Sequence, residues 1–134
     1  EKGQGRRVVV IGYFPFIPDV RKVAGHLSVI DKNPKTHALP VSETERQVPR
    51  ADVLAITGTA FTNHTLEHLL ALRNPKAFVI VLGGTTPLLP MLFDYGIDAL
   101  CGTQVVDHRL ALQCISQGAN FRQIRGTRRL TLMR

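Results

Sequence analysis

His64, Glu67 and His68 stand in the stretch Asn63-His64-Thr65-Leu66-Glu67-His68, spaced H-x-x-E-H. In that spacing two imidazoles can hold a zinc ion while the glutamate moves a proton. On one unbroken helix, residues four apart share a face. A catalytic zinc also needs a third protein ligand and a cleft across that face. No downstream acidic partner announces itself, and the histidine face lies opposite the stripe Leu66, Leu69 and Leu70. A polar outer helix face accounts for the motif, and zinc-protease chemistry is not expected.

The other groups able to do chemistry are hydroxyls, small backbones and one carboxylate. Thr57, Gly58, Thr59 and Asn63 lie in TGTAFTN, and Gly83, Thr85 and Thr86 lie in GGTTPLLP. Glycine admits a ligand to the backbone or supplies a positive φ, and threonine and asparagine supply hydrogen bonds. A tight strand-to-helix turn with Asn63 as a cap explains the same residues without a ligand. Asp31 ends an apolar run, where a carboxylate can take a ligand hydroxyl or a metal. Tyr13 and Phe14 sit in IGYFPF, where they can stack on a planar ligand or pack in a core. That loop lacks G-x-G-x-x-G, and its bulky rings and prolines stand where glycines would admit a pyrophosphate. Ordinary NAD or FAD binding is therefore not expected. Nucleophile elbow, P-loop and paired-carboxylate signatures are absent from the sequence.

These loops need elements to position them. Five short apolar runs recur: Arg7–Ile11, Leu27–Ile30, Val53–Thr57, Phe78–Leu82 and Ala99–Cys101. Their nearly continuous aliphatic and β-branched character suits strands buried on both faces of a parallel sheet. Helices are expected over 63–72, over 87–95 with Gly96 as stop, and over 107–116 with Asp107 as cap and Gly118 as stop. Shorter helices are expected over 18–25 and 42–48. The tail RRLTLM reads as a sixth, antiparallel-capable edge strand. Strand alternating with helix predicts a right-handed βαβ architecture. The expected fold class is α/β, a Rossmann-like three-layer sandwich with a mostly parallel sheet of five or six strands. Ligands of such sheets bind beyond the carboxyl ends of the strands. The loops there are 12–16, 31–34, 57–63, 83–90 and 102–107.

Composition narrows the classes. The chain has 134 residues, 44% of them apolar and 20% charged, which suits one globular domain over 1–134. No apolar run approaches the roughly 18–20 residues that span a bilayer. The opening EKGQGRR lacks Met and reads as that of a fragment or a processed product. Cys101 and Cys114, 13 positions apart in apolar contexts, read as buried reduced thiols of a cytoplasmic protein. Formal charge is +7, and residues 122–134 carry five arginines and no acid. No aromatic residue interleaves them and no nucleic-acid motif appears, so a last strand with basic outward positions is expected rather than nucleic-acid binding.

VVVIGYFPF, ADVLAITGTAFTNHTLEHLL and VLGGTTPLLPMLFDYGIDALCGTQVVD together resemble the DUF364 family, whose assigned role is heavy-metal chelation. The matching segments are Gly12 to Pro15, Asp31, Ala51 to Leu70, Gly83 to Pro90 and Gly96 to Gly102. The resemblance implies a Rossmann-like C-terminal domain that follows an enolase-like N-terminal domain in longer relatives. Asp31 stands where those relatives often carry Glu, which keeps the charge. His64 and His68 fall at positions the family pattern does not specify.

The combined expectation is a small-ligand or metal-chelate site at the carboxyl edge of the sheet. Its rim would be Tyr13, Phe14, Asp31, Thr57, Gly58, Thr59, Asn63, Gly83, Thr85 and Thr86. Asp31 is the candidate metal contact, and a hard oxygen set favours Mg²⁺, Mn²⁺ or Fe. Two alternatives stand beside it. One is a transferase or lyase with a nucleotide-like cofactor in the same crevice. The other is an interaction module that docks a partner domain or forms a homo-oligomer through FPFIP and the arginine tail.

Overall fold

The computed structural model describes residues 2–33 and 37–134. Pro34, the last residue of the expected 31–34 loop, lies outside them. Six strands form one sheet: β1 (Arg7–Ile11), β2 (His26–Ile30), β3 (Val53–Thr57), β4 (Phe78–Leu82), β5 (Ala99–Val105) and β6 (Thr127–Met133). Their order is β2-β1-β3-β4-β5-β6. β1 to β5 run parallel, and β6 pairs antiparallel with β5 at the edge. The helices are α1 (Ile17–Val23), α2 (Thr44–Gln47), α3 (Thr59–Thr62), α4 (Leu66–Leu72) and α5 (His108–Ser116). Short 3₁₀ turns flank α2 and form Pro90–Tyr95. The expected mostly parallel α/β sheet, with helices on it, is present.

Alternation along the strands divides the core between the two faces. Val9, Leu54, Ile56, Val79, Val81 and Leu100 are fully buried on one face. There they pack beneath α4, through Leu66, Leu69 and Leu70, and beneath Val48 after α2. Each such side chain contributes about 1.5–3 kcal/mol on burial. The opposite face carries Val8, Val10, Val29, Val53 and Ala55 under α1. Phe78, Ile80 and Leu82 continue that face on the inner strand β4, yet all three are only half-buried. An open cavity of about 440 Å³ lies over this part of the sheet, with Val20 and Val23 of α1 on its side.

Several local expectations differ from the structure. The helix expected over 63–72 begins only at Leu66, and a separate short helix, α3, occupies 59–62 of the expected loop. Asn63 Oδ1 accepts from the Thr65 amide (3.3 Å) and the Thr65 hydroxyl (2.6 Å), and the same amide donates to the Ala60 carbonyl (3.1 Å), which together hold a turn. His64 adopts φ +58°, the left-handed region. Asn63 is thus a turn residue between helices rather than the cap of a long one. The segment 87–95 is helical only from Pro90, and as a 3₁₀ turn. A proline four residues in removes an amide and clashes with the preceding turn. Gly96 ends it at φ +84°, as expected. β5 extends to Val105, beyond the run Ala99–Cys101, because pairing with β6 carries it onward.

α5 follows its predicted bounds, with Asp107 accepting from the Leu110 amide at 3.0 Å. Both cysteines are free; Cys114 is buried, whereas Cys101 is only half-buried, contrary to the expected buried pair. It faces the open side of the sheet. On β6, Arg128 and Arg129 are exposed while Leu130 and Leu132 are half-buried, the basic outward strand foreseen. No helix of the described residues is long and apolar enough to cross a membrane.

Candidate functional site

The carboxyl ends of β1, β2 and β3 open into a cleft of about 520 Å³. Gly12 follows β1 and forms its floor, at φ +100°. A β-carbon there would lie 3.1 Å from Thr57 Cβ, so both the conformation and the approach call for glycine. Asp31 and Lys32 follow β2 and form one wall. Asp31 Oδ1 accepts from the Asn33 amide at 2.8 Å, which fixes the carboxyl and leaves its second oxygen for other partners.

Thr57 and Thr59 form the opposite wall, with their hydroxyls 3.1 Å apart. Asn63 and Thr65, joined in the turn between α3 and α4, lie further along the same wall, with His68 of α4 beyond them. Ser42, Thr44 and Glu45 come from the segment over β2. That segment is anchored by a buried hydrogen bond, Ser28 Oγ donating to Gln47 Oε1 at 3.1 Å. Glu43 beside it is held below the ordinary carboxylate range, first by its hydrogen bond from Arg46 and then by that from Gln47.

Of the ten expected rim residues, Asp31, Thr57, Thr59 and Asn63 meet in this cleft. Phe14 and Gly83 line a different cavity on the other side of the sheet edge. Gly58 is buried beneath the loop that follows β4, where a β-carbon would come 2.6 Å from the Thr86 amide nitrogen. Thr86 is 4% exposed, and its hydroxyl has no hydrogen-bond partner among the described residues. Thr85 is exposed beside it, and Tyr13 is 46% exposed; neither lines the cleft. Gly12, Lys32, Glu45 and His68 were not among the expected rim residues. The signal for Lys32 was its place next to Asp31. His68 is exposed, as a polar helix face implies, and that face borders the cleft.

The zinc motif comes apart because His64 lies off the helix, with a left-handed backbone. His64 precedes α4 and lines a small cavity with Phe61, Leu70 and Met91, while His68 lines the main cleft. Among the described residues no group of three or more His, Cys, Asp or Glu is placed to hold a metal ion. The donor set of the cleft therefore does not fit a resident ion held by protein ligands alone. It is a set of hydroxyl, amide and carboxyl groups suited to an oxygen-rich ligand.

Over residues 1–134 the chain matches the family DUF364, described as "Putative heavy-metal chelation". A solved structure of a DUF364 protein of unknown function from Desulfitobacterium hafniense superposes with a TM-score of 0.88 at 26% identity. It is matched over 98% of this chain and 54% of its own. A second, from Pyrococcus horikoshii, superposes with a TM-score of 0.88 at 18% identity, over 100% of this chain and 56% of its own. The latter likeness speaks for the fold alone. The chain thus spans little more than half the length of these relatives. No curated protein matches it. With the family match running over its whole length, the chain belongs to the DUF364 family.

Proposed function

We propose that the cleft at the carboxyl ends of β1, β2 and β3 binds a small metal chelate, the metal arriving inside its own chelator. One observation carries this reading. The cleft gathers Asp31, Thr57, Thr59 and Asn63, yet the described residues offer no three-ligand metal cluster. The threonine hydroxyls and the Asn63 amide suit the oxygens of the chelator. The free oxygen of Asp31, with Glu45 and His68, is available to a chelator hydroxyl or to an open position on the metal. Among the charged lining residues, Lys32 suits a carboxylate of the chelator, while Asp31 and Glu45 suit its hydroxyls or the metal. The family description, heavy-metal chelation, is in line with this reading.

Calorimetric titration tests it with ferric citrate, citrate alone and Mg²⁺ alone. Ferric citrate is expected to bind saturably, and more weakly in Asp31→Asn. At 100 times its dissociation constant it stabilises by about 2.7 kcal/mol. With ~2.1 cal/mol/K of unfolding entropy per residue, that raises the melting temperature by roughly 10 °C. Equal binding of Mg²⁺ alone, or no binding of the chelate, would contradict the reading.

A second reading concerns the open sheet face. Parallel sheets are ordinarily covered on both faces. Phe78 and Ile80 are half-buried on an inner strand, and the related chains are nearly twice as long. We assign this face to packing against a further domain, the enolase-like one the family resemblance implies. Ile80→Lys should then cost under about 1 kcal/mol in the isolated chain. In the longer protein it should cost several times more. Equal costs in both would contradict this reading.

A further inference from the structure

On the other side of the sheet edge, a cavity of about 640 Å³ opens beyond β4 and β5, and it shares no lining residue with the first cleft. Its volume lies within the roughly 300–1,000 Å³ of small-molecule sites. Leu82, Cys101 and Thr131 line it from the sheet, with Cys101 Sγ and Thr131 Oγ1 3.4 Å apart. One wall is a pair of stacked rings, Phe14 and Phe16, with centroids 5.1 Å apart and planes 13° from parallel. Phe121 lines the cavity as a third ring. Its ring lies so close to Gly84 that a β-carbon there would meet it at 2.5 Å.

Two cations complete the cavity. The Arg129 guanidinium stands 5.9 Å from the centre of the Phe121 ring, and Arg122 lies beside it. No acidic residue lines the cavity, and neither arginine takes part in a salt bridge among the described residues. Arg128, the neighbour on β6, instead donates to Gln104 at 2.8 Å. Edge-strand arginines also guard against unwanted pairing. That role explains a basic β6, but not an aromatic ring packed against a glycine beside two guanidinium groups that form no salt bridge among the described residues. Aromatic walls favour a planar ring by offset stacking. Guanidinium groups favour carboxylate or phosphate through paired N–H donors.

We infer that this cavity is a second binding site, specific for a planar aromatic anion: a ring that carries a carboxylate or a phosphate. The ring enters between the Phe14–Phe16 pair and Phe121, and the anion meets Arg122 and Arg129. This assignment is independent of the chelate cleft.

Two probes distinguish the source of the anion: naphthalene-2,6-dicarboxylate for ring carboxylates and 1-naphthyl phosphate for ring phosphates. Binding is followed by fluorescence and by amide chemical shifts, with inorganic phosphate as the ring-free control. At least one probe is expected to saturate and to move the signals of Gly83, Gly84 and Phe121. Affinity should fall at least tenfold in Arg122→Gln/Arg129→Gln, a double change of exposed side chains whose fold is checked by circular dichroism. It should stay unchanged in Asp31→Asn. The inference is overturned by no saturation with either probe at millimolar concentration, or by equal binding of the double variant. It is also overturned if phosphate alone binds as well, or if shifts are confined to the open face around Ile80.

Discussion

Thr86→Val isolates a single atom. Thr86 lies in the loop that passes over Gly58 and Gly102, with a hypothetical Gly58 β-carbon only 2.7 Å from its Oγ1. The side chain is 4% exposed and the hydroxyl is unpaired among the described residues. A buried hydroxyl without a partner costs about 1–3 kcal/mol of lost hydration. Valine keeps the branched shape and replaces the hydroxyl by a methyl group, which removes that cost. Steric crowding against Gly58 offsets part of the gain, so a net stabilisation of about 1–2 kcal/mol is expected. For 134 residues the unfolding entropy is about 0.28 kcal/mol/K, so melting should rise by roughly 4–7 °C. The assay is a thermal melt with a urea titration in parallel, the midpoint rising at constant slope. Because the hydroxyl does not reach the cleft surface, ferric citrate affinity should not change. A fall in melting temperature would refute the reasoning, since it would mean that the hydroxyl is satisfied.

Other substitutions read other layers. Leu69→Ala removes a side chain 3% exposed between α4 and the cleft, and should destabilise by about 2–5 kcal/mol in urea unfolding. Asp107→Ala deletes the acceptor for the Leu110 amide and should cost about 1 kcal/mol, with hydrogen exchange speeding first in the initial turn of α5. Glu43 should titrate below its ordinary value of 4.5 by carboxyl NMR, and Arg46→Met should bring it back towards that value. Its folded value is depressed, so its contribution to stability is present above the unfolded value. That contribution is lost as pH falls through the folded one. An unmoved Glu43 midpoint in the variant would show that Arg46 is not the cause.

The sheet was legible because its strands are continuous runs such as RVVVI and VLAIT, which only a two-sided burial explains. The stops were legible where a single residue type is needed, as at Gly96 with its left-handed backbone. The break at Asn63–Thr65 was not. The apolar stripe on 66–72 is the same whether or not a helix begins earlier, and the turn is held by local bonds from Thr65 to Asn63 and Ala60. That break takes His64 off the helix and away from the cleft that His68 of α4 borders. The candidate site was half legible for a related reason. Loops at the carboxyl ends of parallel strands share one edge, so the sequence groups them. Whether a loop turns to the α4 side or the open side depends on local backbone. Gly12 and Thr57 turn one way, while Phe14 and Gly83 turn the other. The exposed underside of β4 was not visible either, because a half-covered FVIVL has the same composition as a fully covered one.

The most direct measurement places the metal. Ferric citrate is paramagnetic and broadens amide signals near the bound ion. Titrated into the ¹⁵N-labelled chain, it is predicted to broaden Asp31, Thr57, Thr59 and Asn63 first, and to lose this selectivity in Asp31→Asn. Broadening that is uniform, or centred on Gly84 and Phe121 or on the exposed His64, would contradict the account.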